Sequence, residues 1–283
     1  FSFMTYDHDG KVRMDCSSPY VMESVINRIG DFDLAVGTDP DYDRYGIVIS
    51  SGLVSANSFL TMAARYLFTT RGWKNKGIGK TVVCTTMIDK WAAGVEIPVF
   101  EVPVGFKYFS QLLFDGVIGI GGEESAGASF LKKAGTVWTT DKDGIIMALL
   151  GMEIMAVMGK SALKMADDFA ENYGEPRFGR IDAPCKKEQK QILKQLSAEL
   201  ITATSVDGDP ITGIRTTSMY NNMPIDGVRV ETDKGWFVAR PSGTEDLYKI
   251  YGESYKGDLG LVALLTAGEE IVNAALNGKI DAE

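Results

Sequence analysis

The chain has 283 residues, 45% of them hydrophobic, and a formal net charge of -9 at pH 7. That length and apolar content fit two or three globular domains with their own cores and exclude a disordered chain. The acidic balance, with no lysine or arginine block, excludes a nucleic-acid footprint.

Phe1 opens the chain without a methionine or a signal-peptide pattern, amid strand-like residues, and the expectation is a fragment whose upstream part is missing. The only histidine, His8, falls in the polar turn YDHDG and is expected to face solvent, which leaves proton transfer to lysines or carboxylates. Cys16, Cys84 and Cys185 are odd in number, far apart and never in a CxxC pair, so they predict neither a disulfide framework nor a thiolate metal site. A reducing, cytoplasmic location follows.

After Ser17-Ser18-Pro19 the apolar spacing of Val21, Met22, Val25, Ile26 and Ile29 predicts a helix closed by Gly30. The strand-like segments DLAV and GIVI then flank GTDPDYDRYG, where Asp39, Asp41 and Asp43 alternate and Arg44 follows directly. Alternate positions of an extended or turning stretch point to one side, so the three carboxylates are expected to converge on one hard divalent cation such as magnesium. Arg44 offers a planar fork matched to phosphate oxygens. An EF-hand loop is excluded, because counting from Asp39 its glycine and bidentate glutamate positions are Arg44 and Ser50. A solvated acidic turn is the competing reading, and the flanking apolar strands argue against it by placing the acids at a strand end.

From about residue 51 a polar turn leads to a helix through Phe59, Met62, Ala63, Tyr66 and Leu67, followed by an expected strand TVVCT and a helix MIDKWAAG ending at Gly94. PVFEVP and GVIGI are read as further strands, and helices alternating with strands predict a sheet covered on both faces. The stretch GIIMALLGM followed by IMAVMG is broken by Glu153 and falls short of the roughly 18 to 20 residues of a membrane span. A buried helix ending at Gly159 is expected there. After a helix in SALKMADDFAENYG, the segment EPRFGR is the best linker candidate. Beyond it come a helix near KKEQKQILKQL, strands GVRVET and GWFVAR joined by the turn Asp233-Lys234-Gly235, a strand LYKIYGES and a closing helix from Leu261 to Leu276. This part reads as a small α+β domain.

Four more segments carry candidate chemistry. In RPSGTEDLYKIY, Arg240 can grip two phosphate oxygens, while Ser242, Gly243 and Thr244 form a turn read as a phosphate nest and Lys249 adds charge. In GGEESAG, Glu123 and Ser125 offer an acceptor and a donor for vicinal sugar hydroxyls. Lys107 in GFKYF and Lys142 in TDKDG are single lysines, for which ordinary surface charge is the competing reading.

In this order, GTDPDYDRYG, GEESAG and RPSGTED resemble the magnesium, sugar-binding and phosphate-binding loops of the α-D-phosphohexomutase family. PVGFKYF, WTTDKDG and GDPIT extend the likeness toward its glucose-phosphate-specific bacterial branch. The resemblance implies mixed three-layer α/β domains of the phosphohexomutase type plus a C-terminal α+β domain: the end of the second domain in residues 1–50, the third in 51–173 and the C-terminal domain in 174–283. It implies a mutase that moves phosphate between O1 and O6 of glucose through glucose 1,6-bisphosphate and an enzyme phosphoserine. Asp39, Asp41 and Asp43 would hold magnesium, and Arg44 would steady the transferring group. Glu123 and Ser125 would bind the sugar, and Arg240, Ser242, Gly243, Thr244 and Lys249 the non-reacting phosphate. Lys142 would be the general acid/base, with Lys107 as substrate contact or alternative base.

The family's nucleophile lies in an N-terminal loop with a Ser-His pair that this sequence lacks, so the partner it implies is the missing N-terminal part of the same protein, and the chain alone is expected to be inactive. A hexose phosphate is the expected ligand, with no nucleic acid and no membrane. The alternatives are a non-catalytic metal and sugar-phosphate binding module, and activity on mannose phosphate.

Overall fold

Glycines alternate with isoleucines in the two central strands of a four-stranded sheet, GIGKT and IGIGG. The computed structural model describes residues 4–8, 10–158 and 162–277 and divides the chain into two compact units, 1–173 and 174–283. Phe1, the expected start amid strand-like residues, and Gly159, the expected helix end, lie outside the described residues.

The first unit opens with a short helix α1 (Glu23–Ile26) and a 3-10 turn (Ile29–Asp31), in place of the longer helix expected after Pro19. Val21, Met22 and Ile29 are nonetheless buried. The shortfall is physical: Glu23 N–H bonds Tyr20 O and Arg28 N–H bonds Val25 O, and such three-residue closures at both ends of α1 turn the stretch into tight turns. Strands β1 (Ala35–Thr38), β2 (Tyr45–Ile49) and β3 (Gly52–Val54) form an antiparallel sheet in that order, β3 being unforeseen. Helix α2 (Ala56–Thr70) is capped by Ser55, whose hydroxyl accepts from Ser58 N–H at 3.1 Å.

Strands β4 (Gly77–Thr81), β5 (Val99–Val102), β6 (Ile118–Gly122) and β7 (Ala128–Phe130) form a second sheet in the order β5-β4-β6-β7, parallel except for β7. Helices α3 (Met87–Gly94) and α4 (Lys107–Phe114) lie between these strands in the chain, and α5 (Gly144–Met158) and α6 (Ala162–Tyr173) follow them. A Cβ on Gly79 or Gly121 would strike Phe109 of α4, and one on Gly122 would strike Leu60 of α2. Adjacent strand residues face opposite sides, so α4 and α2 cover opposite faces in three layers.

The strand is GIGKT rather than TVVCT: Val82, Val83 and Cys84 are wholly buried, but in the turn after β4, because the close approach of helices to the sheet selects glycine for the strand itself. Helix α5 is not buried all round. Met147, Leu150 and Ile154 face the core, whereas Ile145, Leu149, Met152 and Val157 are exposed.

The second unit contains β8 (Arg177–Pro184), α7 (Lys187–Lys194), β9 (Ser205–Val206), β10 (Asp209–Thr217), β11 (Pro224–Thr232), β12 (Gly235–Pro241), β13 (Leu247–Ser254) and α8 (Gly257–Leu276). Its six strands form a sheet in the order β8-β13-β12-β11-β10-β9, with antiparallel pairing throughout. The segment EPRFGR is therefore no free linker. From Arg177 onward it is β8, in continuous register with β13, and that pairing overrides the Pro and Gly signals.

Val228, Val230, Phe237, Ala239 and Ile250 share a core with Leu193 of α7 and with Leu264 and Val272 of α8, giving a two-layer α+β arrangement. Among the described helices, α8 is long and apolar enough to cross a membrane by length and composition; Gly268 instead lets it lie against the sheet, since a Cβ there would come within 2.7 Å of Ile250.

Candidate active site

The acidic loop leaves β1 as a turn rather than an extended stretch. Tyr42 takes a left-handed φ of 59° and its N–H closes onto Asp39 O at 3.1 Å. Asp39 and Asp43 share a side-chain hydrogen bond, whereas Asp41 is exposed. Among the described residues no group of three or more His, Cys, Asp or Glu is gathered as a ready metal cage. Burial, reinforced by the neighbouring Asp43, pushes the Asp39 carboxyl up. Burial would raise Asp43 too, but the Lys142 ammonium at 2.8 Å holds it below the usual carboxylate range.

Arg44 and the loop after β6 are tied directly. Arg44 forms a bridge with Gly127, Tyr45 N–H bonds Ala126 O at 3.1 Å, and Glu123 N–H bonds Gly127 O at 2.8 Å. Gly127 is required for this closeness, since a Cβ would lie 2.3 Å from the Lys142 stem and 3.2 Å from a Glu123 carboxylate oxygen. Glu123 is only 6% exposed. Burial and then Glu124 push its carboxyl up to about 7, against the opposing pull of Lys142, Arg44 and the Gly105 N–H. Ser125 is half-buried in the same loop.

Asp143 caps α5, its Oδ1 accepting from Ile145 and Ile146 N–H at 3.1 Å, and Gly144 N–H bonds Tyr42 O at 2.9 Å, which sets the helix start against the acidic loop. Asp39, Asp43, Arg44, Lys142 and Glu123 thus form one cluster. Lys107 does not join it: it stands exposed at the start of α4 with its amine 5.1 Å from the ring of Tyr108. His8 is exposed, its Nδ1 3.2 Å from Asp7.

The second unit carries its own cluster. Arg240 is the last residue but one of β12, opposite Lys249 of β13, and Ser242 to Asp246 form the intervening loop. Ser242 is buried and its hydroxyl accepts from Glu245 N–H at 3.2 Å, while Gly243 and Thr244 are exposed. Gly243 is not left-handed, and the loop takes its shape from the Ser242 hydroxyl and from backbone bonds such as Ser242 N–H to Leu247 O at 2.8 Å. Lys249 Nζ lies 2.9 Å from Glu245 and 3.7 Å from Asp182. The Nε atoms of both Arg44 and Arg240 are buried with no hydrogen-bond partner among the described residues.

Residues 55–173 match the description "Phosphoglucomutase/phosphomannomutase, alpha/beta/alpha domain III", and residues 181–260 match the C-terminal domain of the same proteins. The chain belongs to the α-D-phosphohexomutase family. A phosphoglucomutase of Komagataeibacter xylinus is 48% identical over 97% of this chain and 50% of its own length. A phosphoglucomutase/phosphomannomutase family protein from Burkholderia thailandensis superposes with a TM-score of 0.71 at 20% identity, covering 94% of this chain and 52% of that one. Parafusin, a phosphoglucomutase from Paramecium, gives 0.63 at 21% identity, covering 91% and 48%. At those identities the two structures speak for the phosphohexomutase fold alone. The chain spans about half the length of the curated relatives it matches.

Sequence reading of this phosphohexomutase missed three residues that shape the clusters: Gly105, whose N–H meets Glu123, Gly127, and Lys190 of α7, which bonds the loop after Arg240. The glycines carried a signal, since each lies within a motif already singled out, GFKYF or GGEESAG, but was given no role there, whereas Lys190 carried none.

Proposed function

We propose that the protein to which this chain belongs interconverts glucose 1-phosphate and glucose 6-phosphate through glucose 1,6-bisphosphate, with a phosphoserine supplied by a segment outside these 283 residues. Residues 1–50 are assigned to the end of the second phosphohexomutase domain, 51–173 to the third and 174–283 to the C-terminal domain. The observation that carries the reading is the pair of buried guanidinium Nε–H groups without a hydrogen-bond acceptor among the described residues. That of Arg44, which has only ion-pair neighbours in Asp39 and Asp43 at 4.0 Å, and that of Arg240 each stand at a position predicted to meet a phosphoryl or phosphate oxygen, and a buried donor without an acceptor is costly.

The oxygen-only donor set suits magnesium, and the raised Asp39 beside Asp43 is a pair of carboxyls that a cation would relieve. Asp39 and Asp43 would hold it, with Asp41 joining from the exposed turn. Bound there, magnesium would neutralise charge spread over the transferring phosphoryl oxygens. Arg44 steadies the same group. Lys142, as the neutral amine after it has released its own proton to solvent, accepts the proton of the attacking sugar hydroxyl and, as the ammonium, returns it on the reverse transfer, with Lys107 as a substrate contact or alternative base. Glu123 and Ser125 hold sugar hydroxyls, and Arg240, Ser242, Gly243, Thr244 and Lys249 hold the non-reacting phosphate. Three free, buried cysteines accord with a cytoplasmic setting.

The test is a coupled assay on the polypeptide that joins a serine-bearing segment to this chain. Glucose 6-phosphate should form, Asp43→Asn should lower kcat by about 100-fold, and Arg240→Ala should chiefly raise KM. The chain alone should bind glucose 1-phosphate without converting it. Binding without turnover by the longer polypeptide would replace the mutase with a sugar-phosphate binding module, and equal turnover of mannose 1-phosphate would replace the glucose preference.

A further inference from the structure

Lys190 lies on α7, outside every motif singled out in the sequence. Its ammonium donates to the carbonyl oxygen of Glu245 and, at 3.0 Å, to Asp246 Oδ1. Only 15% of its side chain is exposed, although lysines are mostly surface residues. The helix that carries it is itself fixed. Lys186 N–H bonds the Gln189 side chain at 2.8 Å at the start of α7, and Leu193 is wholly buried in the core of the unit. A further bond, Cys185 N–H to Asp246 O at 3.0 Å, ties the residues before α7 to the same loop.

These attachments decide how the loop presents its backbone. A planar trans peptide sets its carbonyl and N–H on opposite sides. With the Glu245 carbonyl held toward Lys190, the Asp246 N–H faces away from that amine. On the other flank, Ser242 N–H closes onto Leu247 O at 2.8 Å and Lys249 holds the Glu245 carboxylate. The loop therefore keeps its shape without a left-handed glycine, and Lys190 is the side chain of α7 in this set.

We propose that Lys190 is a positioning residue for phosphate binding: by gripping Glu245 and Asp246 it fixes the orientation of the Ser242–Asp246 amides beside Arg240. The proposal rests on the reading of that loop as a phosphate site. It assigns Lys190 no contact with the ligand itself.

The experiment titrates the 283-residue chain with inorganic phosphate and with glucose 1-phosphate, following the amide resonances of residues 242–246. Lys190→Met keeps the aliphatic stem and removes the donor. It should weaken binding of both ligands by about tenfold and move the Glu245 and Asp246 amides, with the melting temperature held within about 2 °C. Lys190→Arg, which restores donors at the same place, should recover affinity to within about threefold. Unchanged affinity in Lys190→Met overturns the proposal. So does a drop in melting temperature shared by both variants with no recovery in Lys190→Arg, since Lys190 would then serve stability alone. Arg240→Ala separates the two levels: lost phosphate binding in that variant beside an unaffected Lys190→Met removes only the role of Lys190. Unaffected binding in Arg240→Ala removes the phosphate site and this proposal together.

Discussion

Glu123 is where burial and charge meet most sharply. Its folded pKa of about 7 exceeds its ordinary 4.5, so the folded chain keeps a proton that the unfolded chain has already released. The stability tied to this group is whole below about pH 4.5 and declines as pH rises through 7, by about 3 kcal/mol at most. Carbon-13 titration of the Glu123 carboxyl in metal-free protein should give a midpoint near 7, and Glu123→Gln should flatten the stability profile across that window. A midpoint below 5 would remove the buried-carboxyl account. The two glycines near it should behave differently from each other. A Cβ at position 127 meets the flexible stem of Lys142, so Gly127→Ala should cost about 1 kcal/mol or less while drawing Lys142 away from Asp43 and weakening glucose 1-phosphate binding. At position 144 the Cβ would lie 2.2 Å from the Arg44 carbonyl oxygen, which is backbone and cannot swing aside, so Gly144→Ala should cost about 2–3 kcal/mol in urea unfolding. Equal losses in the two variants would contradict this contrast. At this scale residue type alone marked Asp39, Asp43, Arg44 and Lys142 as candidates, and the structure gathers these four in one cluster. The left-handed Tyr42, which makes the loop a turn with Asp41 exposed, is a backbone choice no residue pattern announced.

Elements were legible where apolar period and packing agree, as in α2, β12 and β13, and illegible where tertiary contact overrides local preference. The valines of TVVCT favour a strand, yet Gly77 and Gly79 occupy it because Phe100 and Phe109 fill the space their side chains would need. The composition of α5 is apolar on every side, so its exposed stripe is visible only once the sheet beneath it is placed. Helix α8 offers the cleanest test of packing over propensity. Glycine within a helix is disfavoured against alanine by about 1 kcal/mol, so Gly268→Ala would stabilise an isolated helix. Against the sheet, the added methyl would meet Ile250 at 2.7 Å and Phe237 at 3.2 Å, an overpacking that costs about 1–3 kcal/mol. The clash should win, giving a net loss of about 1 kcal/mol in urea unfolding. Leu259→Ser, on the same helix but 87% exposed, should change stability by less than about 0.5 kcal/mol. A stabilised Gly268→Ala would mean that α8 does not press on β12 and β13 as described.

At the scale of the whole molecule, the division into two units has an energetic basis. The N-terminal core gathers Tyr45, Ile47, Phe59, Leu60, Phe109 and Ile120, and the C-terminal core gathers Leu193, Val230, Phe237, Ile250, Leu264 and Val272. Sequence pattern revealed the change from alternating strands and helices to a strand-rich segment, but it could not show that β8 belongs to the later sheet, because a strand lacking alternation of strong apolar residues is recognised through its partner β13. A chain of residues 174–283 includes every strand of the six-stranded sheet and both helices that cover its apolar face. Its length lies within the range of domains that fold alone. It should therefore unfold in urea in a single cooperative transition, with circular dichroism and Trp236 fluorescence coincident. Arg240, Ser242 and Lys249 all lie within it, so inorganic phosphate should raise its melting temperature, and Arg240→Ala should abolish that rise. A fragment that folds without responding to phosphate would separate the core from the proposed site. A fragment that fails to fold would show that hydrophobic burial within residues 174–283 is too small to offset the conformational entropy of ordering them.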